Sequence, residues 1–166
     1  IGLNQGPAPF TSLRVIITTA NGLNFSKKIP LVGVDGIRTL MREHAFATPV
    51  TVVLLNAFAK DVYFGIRKQG DDTITTGWEN ISVFLETLAH DFPQTNITFI
   101  GNGVELFKKE ILNTFGACAQ IPDPLPEFAS LEAVAHASFD QWQRKENVHD
   151  TLLPLYLKTQ KYKPAL

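Results

Sequence analysis

The chain passes from an irregular segment into a helix across residues 6–14, which read GPAPFTSLR. Residues 2–9 are rich in Gly, Pro and Asn, which interrupt regular structure and therefore predict a loop. From residue 11 to residue 24, apolar side chains recur at helical spacing. They are Leu13, Ile16, Ile17, Ala20 and Leu23. The segment therefore predicts a loop that enters a helix over residues 11–24.

Strands and helices alternate after this helix. Residues 30–34 predict a short apolar strand, and Asp35 stands where an aspartate caps a following helix over residues 36–45. The continuous β-branched and leucine-rich run at 50–56 predicts a strand that is buried on both faces. The remaining predicted elements are a hairpin partner at 62–68, a strand at 74–78, a helix at 81–92, a strand at 96–101 and helices at 104–115 and 130–145. This order predicts a mixed α/β layer architecture.

Composition narrows the classes of protein that the chain represents. Its 166 residues suffice for one medium domain, or one domain with a fragment of another, and a hydrophobic content of 45% argues against disorder. A formal net charge of -1 argues against an independent nucleic-acid binder, so contact with RNA is expected only through a partner. The single cysteine, Cys118, suits a reducing cytosol, and no apolar run reaches the roughly 18 residues of a membrane span.

The residues predict no catalytic site and no metal site. The four histidines, at positions 44, 90, 136 and 149, are not paired with one another or with the cysteine at zinc-ligand spacing. Neither a Gly-x-Ser-x-Gly nucleophile turn nor a phosphate-binding loop of the Walker type is present.

One glycine-rich turn offers a candidate binding site. Gly101-Asn102-Gly103 follows a predicted strand and precedes a predicted helix, where exposed amides can hold an anion such as a nucleotide phosphate. A turn without a ligand uses the same residue types, because glycine allows the tight bend. The ligand-free interpretation is the favoured one.

The segment at 6–14 also carries a family resemblance. It resembles the signature of the bacterial TsaB (YeaZ) family, which reads GPGSFTG, then Leu, Val or Ile, then Arg. The strictly matching positions are Gly6, Pro7, Phe10, Thr11 and Arg14.

Four later segments resemble further motifs of that family in the same order. Residues 29–34 resemble its P-x-I-G-V strand, and residues 55–63 resemble its I-D-A-R-x-G-E-V-Y segment. Residues 100–103 resemble its V-G-x-G strand end, and residues 154–158 resemble its C-terminal P-x-Y-L-R segment. The chain is therefore identified as a divergent member of this family, related to the catalytic subunit TsaD.

The resemblance implies an actin-like ATPase (ASKHA, ribonuclease H-like) fold whose N-terminal lobe is incomplete in this chain. Residues 1–34 are expected to be a remnant of that lobe. Residues 35–166 are expected to form the C-terminal lobe, with a C-terminal helix that returns to the first lobe. The family opens with a strand and hairpin unit, which is expected to precede Ile1.

The resemblance also implies a function. TsaB is a non-catalytic partner subunit in the formation of N6-threonylcarbamoyladenosine (t6A) in tRNA, in the cytoplasm. The expected partners are a TsaD-like catalytic subunit, a TsaE-like ATPase and a second copy in a homodimer, with tRNA contacted only indirectly. The helix after the signature builds the interface in relatives, and the corresponding residues here are Phe10, Thr11, Leu13, Arg14, Ile17 and Asn21.

Departures from the family pattern bear on cofactors. The signature has small residues where this chain has Ala8, Pro9 and Ser12. The second motif has Asp, Arg and Gly where this chain has Asn56, Phe58 and Lys60. These changes argue against a cofactor of the chain's own, and leave open ATP or ADP at a partner interface. The alternative function is a nucleotide-binding or peptidase-like (M22 glycoprotease-type) enzyme of the same fold.

Overall fold

The structure, a computed structural model, describes residues 1–44 and 46–158. In this part of the chain, helices pack on the faces of two β-sheets. The strands are β1 (Gly2–Gly6), β2 (Leu31–Asp35), β3 (Val50–Asn56), β4 (Asp61–Lys68), β5 (Thr75–Asn80), β6 (Ile97–Ile100), β7 (Ala119–Gln120) and β8 (Val148–His149). The helices are α1 (Phe10–Lys27), α2 (Gly36–Glu43), α3 (Ile81–Asp91), α4 (Gly103–Leu106), α5 (Lys108–Phe115) and α6 (Leu131–Gln143), with a short 3-10 helix at Gly116–Cys118. The mixed α/β class predicted from the sequence is confirmed.

The smaller sheet has the strand order β1-β2-β8. β1 and β2 run parallel and are joined through α1, whereas β8 pairs with β2 in the antiparallel sense. α1 covers this sheet with Leu13, Ile17 and Ala20, which share a core cluster with Leu3 and Leu31. α6 also packs against β1 and β2, so the chain returns to its first strands near its end.

The larger sheet has the strand order β5-β4-β3-β6-β7, with β3 in the centre. β3 pairs antiparallel with β4 and parallel with β6. Val52 and Leu54 of β3 share one core cluster with residues of α3 and α5, whereas Val53 and Leu55 share a second with residues of α2. The predicted burial of this strand on both faces is therefore confirmed, and it accounts for the strand's unbroken apolar sequence.

Asp35 caps α2, as the sequence predicts. Its Oδ1 atom accepts hydrogen bonds from the backbone amides of Ile37 at 2.9 Å and Arg38 at 3.1 Å. Burial raises the pKa of this carboxyl above its ordinary value, although the two cap hydrogen bonds and the nearby arginines act in the opposite direction.

The prediction of a loop over residues 2–9 is wrong, because residues 2–6 form β1. Their sequence, GLNQG, has neither alternating apolar residues nor β-branched side chains that would indicate a strand. β1 exists because β2 offers a parallel partner and because Leu3 enters the core under α1. Tertiary pairing thus overrides a weak local preference.

Two helix predictions also need correction. α1 extends to Lys27, beyond the predicted end at 24, and is followed by Lys28 in the left-handed conformation. The predicted helix over 104–115 is divided into α4 and α5 at Phe107, whose φ of -116° and ψ of 20° leave the helical region. This break lets Phe107 pack against the core cluster that contains Val104 and Ile111.

The division into lobes at residues 1–34 and 35–166 stays a prediction.

Among the residues described, no helix is both long enough and apolar enough to cross a membrane.

Gly101 offers a test of the packing beside β3. It has a φ of +102°, and a Cβ atom at this position would collide with the Leu54 carbonyl. We expect Gly101→Ala to lower the free energy of unfolding by more than about 2 kcal/mol, because both the backbone conformation and the space are unsuitable for alanine. Urea denaturation measures the change.

Gly22 is the matched control, because it lies in α1 and a Cβ atom added to it would have no neighbour within 4 Å. Gly22→Ala should raise the free energy of unfolding by about 0.5–1 kcal/mol, since alanine is the better helix former. Equal effects of the two substitutions would contradict the packing at Gly101.

Candidate functional site

A cleft lies at the carboxyl ends of β1, β3 and β6, where ligands commonly bind in α/β proteins. Four of the five segments that carry the family resemblance meet there. We call it the central cleft. Its outer part has a volume of about 740 Å³, and its inner part about 110 Å³. The residues that line both parts are Ala8, Pro9, Asn56, Phe58 and Tyr63.

The first turns of α1 contribute an aromatic and cationic cluster to the outer cleft. The rings of Phe10 and Tyr156 are stacked with their centroids 5.9 Å apart. The Arg14 guanidinium carbon lies 3.9 Å from the centre of the Phe10 ring, and its Nε atom donates a hydrogen bond of 3.0 Å to the Tyr156 hydroxyl. These contacts hold the Arg14 side chain in one orientation.

Tyr156 belongs to residues 152–158, which cross from the smaller sheet to the larger one and which we call the C-terminal strap. The Asn21 side chain both donates to the Leu152 carbonyl at 3.0 Å and accepts from the Leu152 amide at 2.9 Å. Further along, the Leu155 amide donates to the Gln5 carbonyl at 2.8 Å. The strap is therefore fastened to both α1 and β1.

Gly6 allows the strap to approach β1 closely. A Cβ atom at this position would lie 2.8 Å from the Leu155 carbonyl oxygen, and Gly6 has a φ of +126°. A residue with a side chain would both strain the backbone and push the strap away.

The far end of the strap contacts the turn between β3 and β4. Lys158 Nζ lies 2.6 Å from the Asp61 carboxylate and 3.4 Å from the Ala57 carbonyl oxygen. Asp61 and Lys158 are both mostly buried in this pair. The strap thus ties α1 and β1 to the β3–β4 turn.

The β3–β4 turn has an uncommon backbone. Phe58, Ala59 and Lys60 have φ values of 60°, 52° and 64°, the left-handed region that non-glycine residues rarely adopt. The Asn56 side chain accepts a hydrogen bond from the Phe58 amide at 2.9 Å and helps to hold this conformation. The turn presents an exposed Phe58 ring to both parts of the cleft.

The Gly101-Asn102-Gly103 turn lies at the inner end of the cleft with its amides largely engaged. The Gly101 amide donates to the Pro126 carbonyl at 2.7 Å, and the Asn102 amide donates to the Glu127 carbonyl at 3.1 Å. The Asn102 side chain also accepts a hydrogen bond from the Asn56 amide at 3.1 Å. Two amides that could hold a phosphate are thus bonded to the chain itself, as a turn without a ligand requires.

The residues predicted for a partner interface occupy different environments. Phe10, Thr11 and Arg14 are exposed, whereas Leu13 and Ile17 are buried against the smaller sheet. Asn21 is half-buried and bonded to the strap. The structure brings Phe10 and Arg14 to the cleft and keeps Leu13 and Ile17 inside the core. The role of all six predicted residues in a partner interface stays a prediction.

The sequence alone does not predict the contributions of Tyr63, Tyr156 and Lys158 to the cleft. It marks these residues only as parts of family-like segments. Their proximity depends on contacts between residues about a hundred positions apart, for which a single sequence has no signal. In the described residues, no group of three or more His, Cys, Asp or Glu side chains is arranged to hold a metal ion.

Comparison with known proteins identifies the family of this chain. The family model TsaD, described as tRNA N6-adenosine threonylcarbamoyltransferase, matches residues 1–161. The chain belongs to the TsaD family. The family-level assignment made from the sequence motifs is thereby confirmed. No curated protein gives a match.

Two solved structures from Pseudomonas aeruginosa are similar in fold. One is an uncharacterized protein with similarity to peptidase YEAZ, with 19% identity and a TM-score of 0.67, covering 93% of this chain and 71% of that one. The other is YeaZ, with 21% identity and a TM-score of 0.64, covering 93% of this chain and 72% of that one. At these identities the likeness is one of fold.

The attachment of the strap can be tested at Asn21. We expect Asn21→Ala to lower the free energy of unfolding by about 1–3 kcal/mol, because it removes two hydrogen bonds to Leu152. The Leu152 amide should also exchange its hydrogen faster. Asn113→Ala, on the exposed face of α5, is the control and should leave that amide unchanged. Slow exchange at Leu152 in Asn21→Ala would show that the strap does not depend on this clamp.

The left-handed turn can be tested at Lys60, where the TsaB motif has glycine. We expect Lys60→Gly to raise the free energy of unfolding by about 1 kcal/mol, since glycine adopts a φ of 64° without steric strain. Lys109→Gly, in α5, should lower it by a similar amount, because glycine is a poor helix former. Thermal denaturation of both variants measures this, and a loss of stability in Lys60→Gly would contradict the left-handed backbone of the turn.

Proposed function

We propose that this chain is a non-catalytic partner subunit in t6A formation, built on an actin-like ATPase fold, and that α1 docks on a TsaD-like catalytic subunit. One observation carries the proposal: α1 is apolar on two faces, and the smaller sheet covers only one of them. The family match supports the choice of process, because the family model describes a tRNA N6-adenosine threonylcarbamoyltransferase.

The outward face of α1 is unusual for a helix on a protein surface. Val15, Ile16 and Leu23 are exposed to 61%, 52% and 47%. Ser12 and Thr19 lie on the same face at the alternating spacing of three and four residues, and neither is charged. A surface helix ordinarily turns charged and polar side chains to solvent, and Lys27 is the charged residue of this face, at its C-terminal end. A face that carries no charge over residues 12–23 marks a contact with another protein.

A TsaD-like subunit is the occupant that the family resemblance favours. In relatives, the helix after the signature serves both that contact and the homodimer. Both assemblies would therefore use the same face of α1, and a chain in one of them would not be available for the other. A TsaE-like ATPase is a further expected partner.

Several groups of the chain's own cleft that could hold a nucleoside triphosphate are already bonded to the chain or have no donor. The outer part is large enough by volume, but the phosphates need several donors. Pro7 and Pro9 have no N–H, and the amides of Gly101 and Asn102 are bonded to carbonyls of the chain. Lys158 is paired with Asp61. These features support a binding role for this subunit, and the alternative of a nucleotide-binding or peptidase-like enzyme stays a prediction.

The docking face can be tested with Leu23→Arg. Leu23 is exposed, so the variant should fold normally, but a charge placed in an apolar interface is costly. We expect its affinity for the cognate TsaD-like subunit to fall by about tenfold or more, measured by calorimetry or by co-elution at micromolar concentration. The t6A content of tRNA in cells that carry the variant should fall in parallel.

The matched control is Leu112→Arg on α5, where the leucine is exposed to 43% and lies on the larger sheet's side of the molecule. It should bind as the unaltered chain does. If the unaltered chain forms no complex with the TsaD-like subunit, the proposed function is wrong. Equal losses in both variants would place the interface elsewhere.

A further inference from the structure

Arg14 has no acidic partner among residues 1–44 and 46–158. The ion pairs of this part of the chain involve other residues. The Arg14 guanidinium instead lies against the Phe10 ring, and its Nε atom donates a hydrogen bond to the Tyr156 hydroxyl. Within the described residues its terminal nitrogens have no acceptor, while the side chain is already held in place.

The surroundings of Arg14 are apolar and aromatic. The outer part of the central cleft has about 740 Å³ between Phe10 and Tyr156 on one side and Phe58 and Tyr63 on the other. A volume of this size suits a few side chains of a bound segment or a small molecule. Aromatic walls add favourable contacts for an apolar or planar group.

The charge of the cleft indicates one negative charge on the occupant. Two cations line its outer part, Arg14 and Lys158. Lys158 is neutralised by the Asp61 carboxylate at 2.6 Å, which leaves Arg14 alone. A single guanidinium matches a single carboxylate, which it binds through two parallel hydrogen bonds.

We propose that the outer part of the central cleft receives a segment of the docking partner that carries a carboxylate beside an aromatic or large apolar side chain. The carboxylate pairs with Arg14, and the apolar group lies between the aromatic walls. The inference rests on the proposed function, because the partner is the TsaD-like subunit. Arg14 lies on the cleft side of α1, and the exposed Val15 lies about 100° further round the helix. A partner that covers the exposed side of α1 would therefore contact both residues.

The first experiment measures binding of the cognate TsaD-like subunit to Arg14→Gln, with circular dichroism to establish folding. We expect the Kd to rise by about tenfold or more, because the partner's carboxylate would lose its ionic hydrogen bonds. Arg14→Lys should recover only part of the affinity, since an ammonium group cannot form the two parallel bonds. Lys109→Gln removes an exposed positive charge from α5 and should bind as the unaltered chain does.

The second experiment uses a small probe and needs no partner. NMR titration compares N-acetyl-L-phenylalanine with its neutral amide. The acid should shift the resonances of Phe58 and Tyr63 at millimolar concentration, and the amide should bind about tenfold more weakly. This difference should disappear in Arg14→Gln.

The outcomes separate the two proposals. A complex that forms as well with Arg14→Gln as with the unaltered chain would overturn this inference and leave the proposed function standing. The absence of any complex with the unaltered chain would overturn the proposed function and, with it, this partner. Equal binding of the acid and the amide, or no binding of the acid, would overturn the carboxylate assignment. Competition by AMP at lower concentration than the acid would assign the cleft to nucleotides instead.

Discussion

The C-terminal strap determines how the central cleft is built. The cleft takes one wall from α1 and the loop after β1, and the other from the β3–β4 turn, and these belong to different sheets. The strap is fastened to the first at Asn21 and Gln5 and to the second at Asp61. The contacts join residues about 100 to 150 positions apart in the chain. The entropy of closing such long loops grows only slowly with length, so a few well-made contacts suffice to hold the walls together.

The same strap supports the strained turn. Three successive non-glycine residues in the left-handed region are destabilising by roughly 1 kcal/mol or more each, and such a conformation persists only where its surroundings fix it. Lys158 fixes this conformation through its contacts with Asp61 and the Ala57 carbonyl. Asn56 fixes it by accepting a hydrogen bond from the Phe58 amide. The TsaB motif has glycine at the position of Lys60, which is the residue type that this backbone favours. The divergent turn of this chain therefore depends on the strap more than a glycine-containing turn would.

The sequence predicts those elements whose signals are local. The apolar run of β3 and the cap at Asp35 each depend on residues close together in the chain, and both are confirmed. β1 is missed because its residues become a strand only when β2 and α1 are in place. The family motifs indicate which segments matter, but the pairing of Arg14 with Tyr156 joins residues 142 positions apart. No local pattern indicates that these side chains meet, and so the cleft emerges only from the fold.

The two features of α1 would serve different purposes in the proposed complex. Its exposed apolar residues favour association with any complementary apolar surface, because burial of apolar area is not directional. In a homodimer with two-fold symmetry, α1 would meet α1, and this helix contains no Asp or Glu to pair with Arg14. A TsaD-like partner that supplies a carboxylate would satisfy Arg14 where an α1–α1 contact does not. Specificity is a difference of affinities, so a carboxylate that pairs with Arg14 would add to the affinity for the heterologous partner and not to that for an α1–α1 contact.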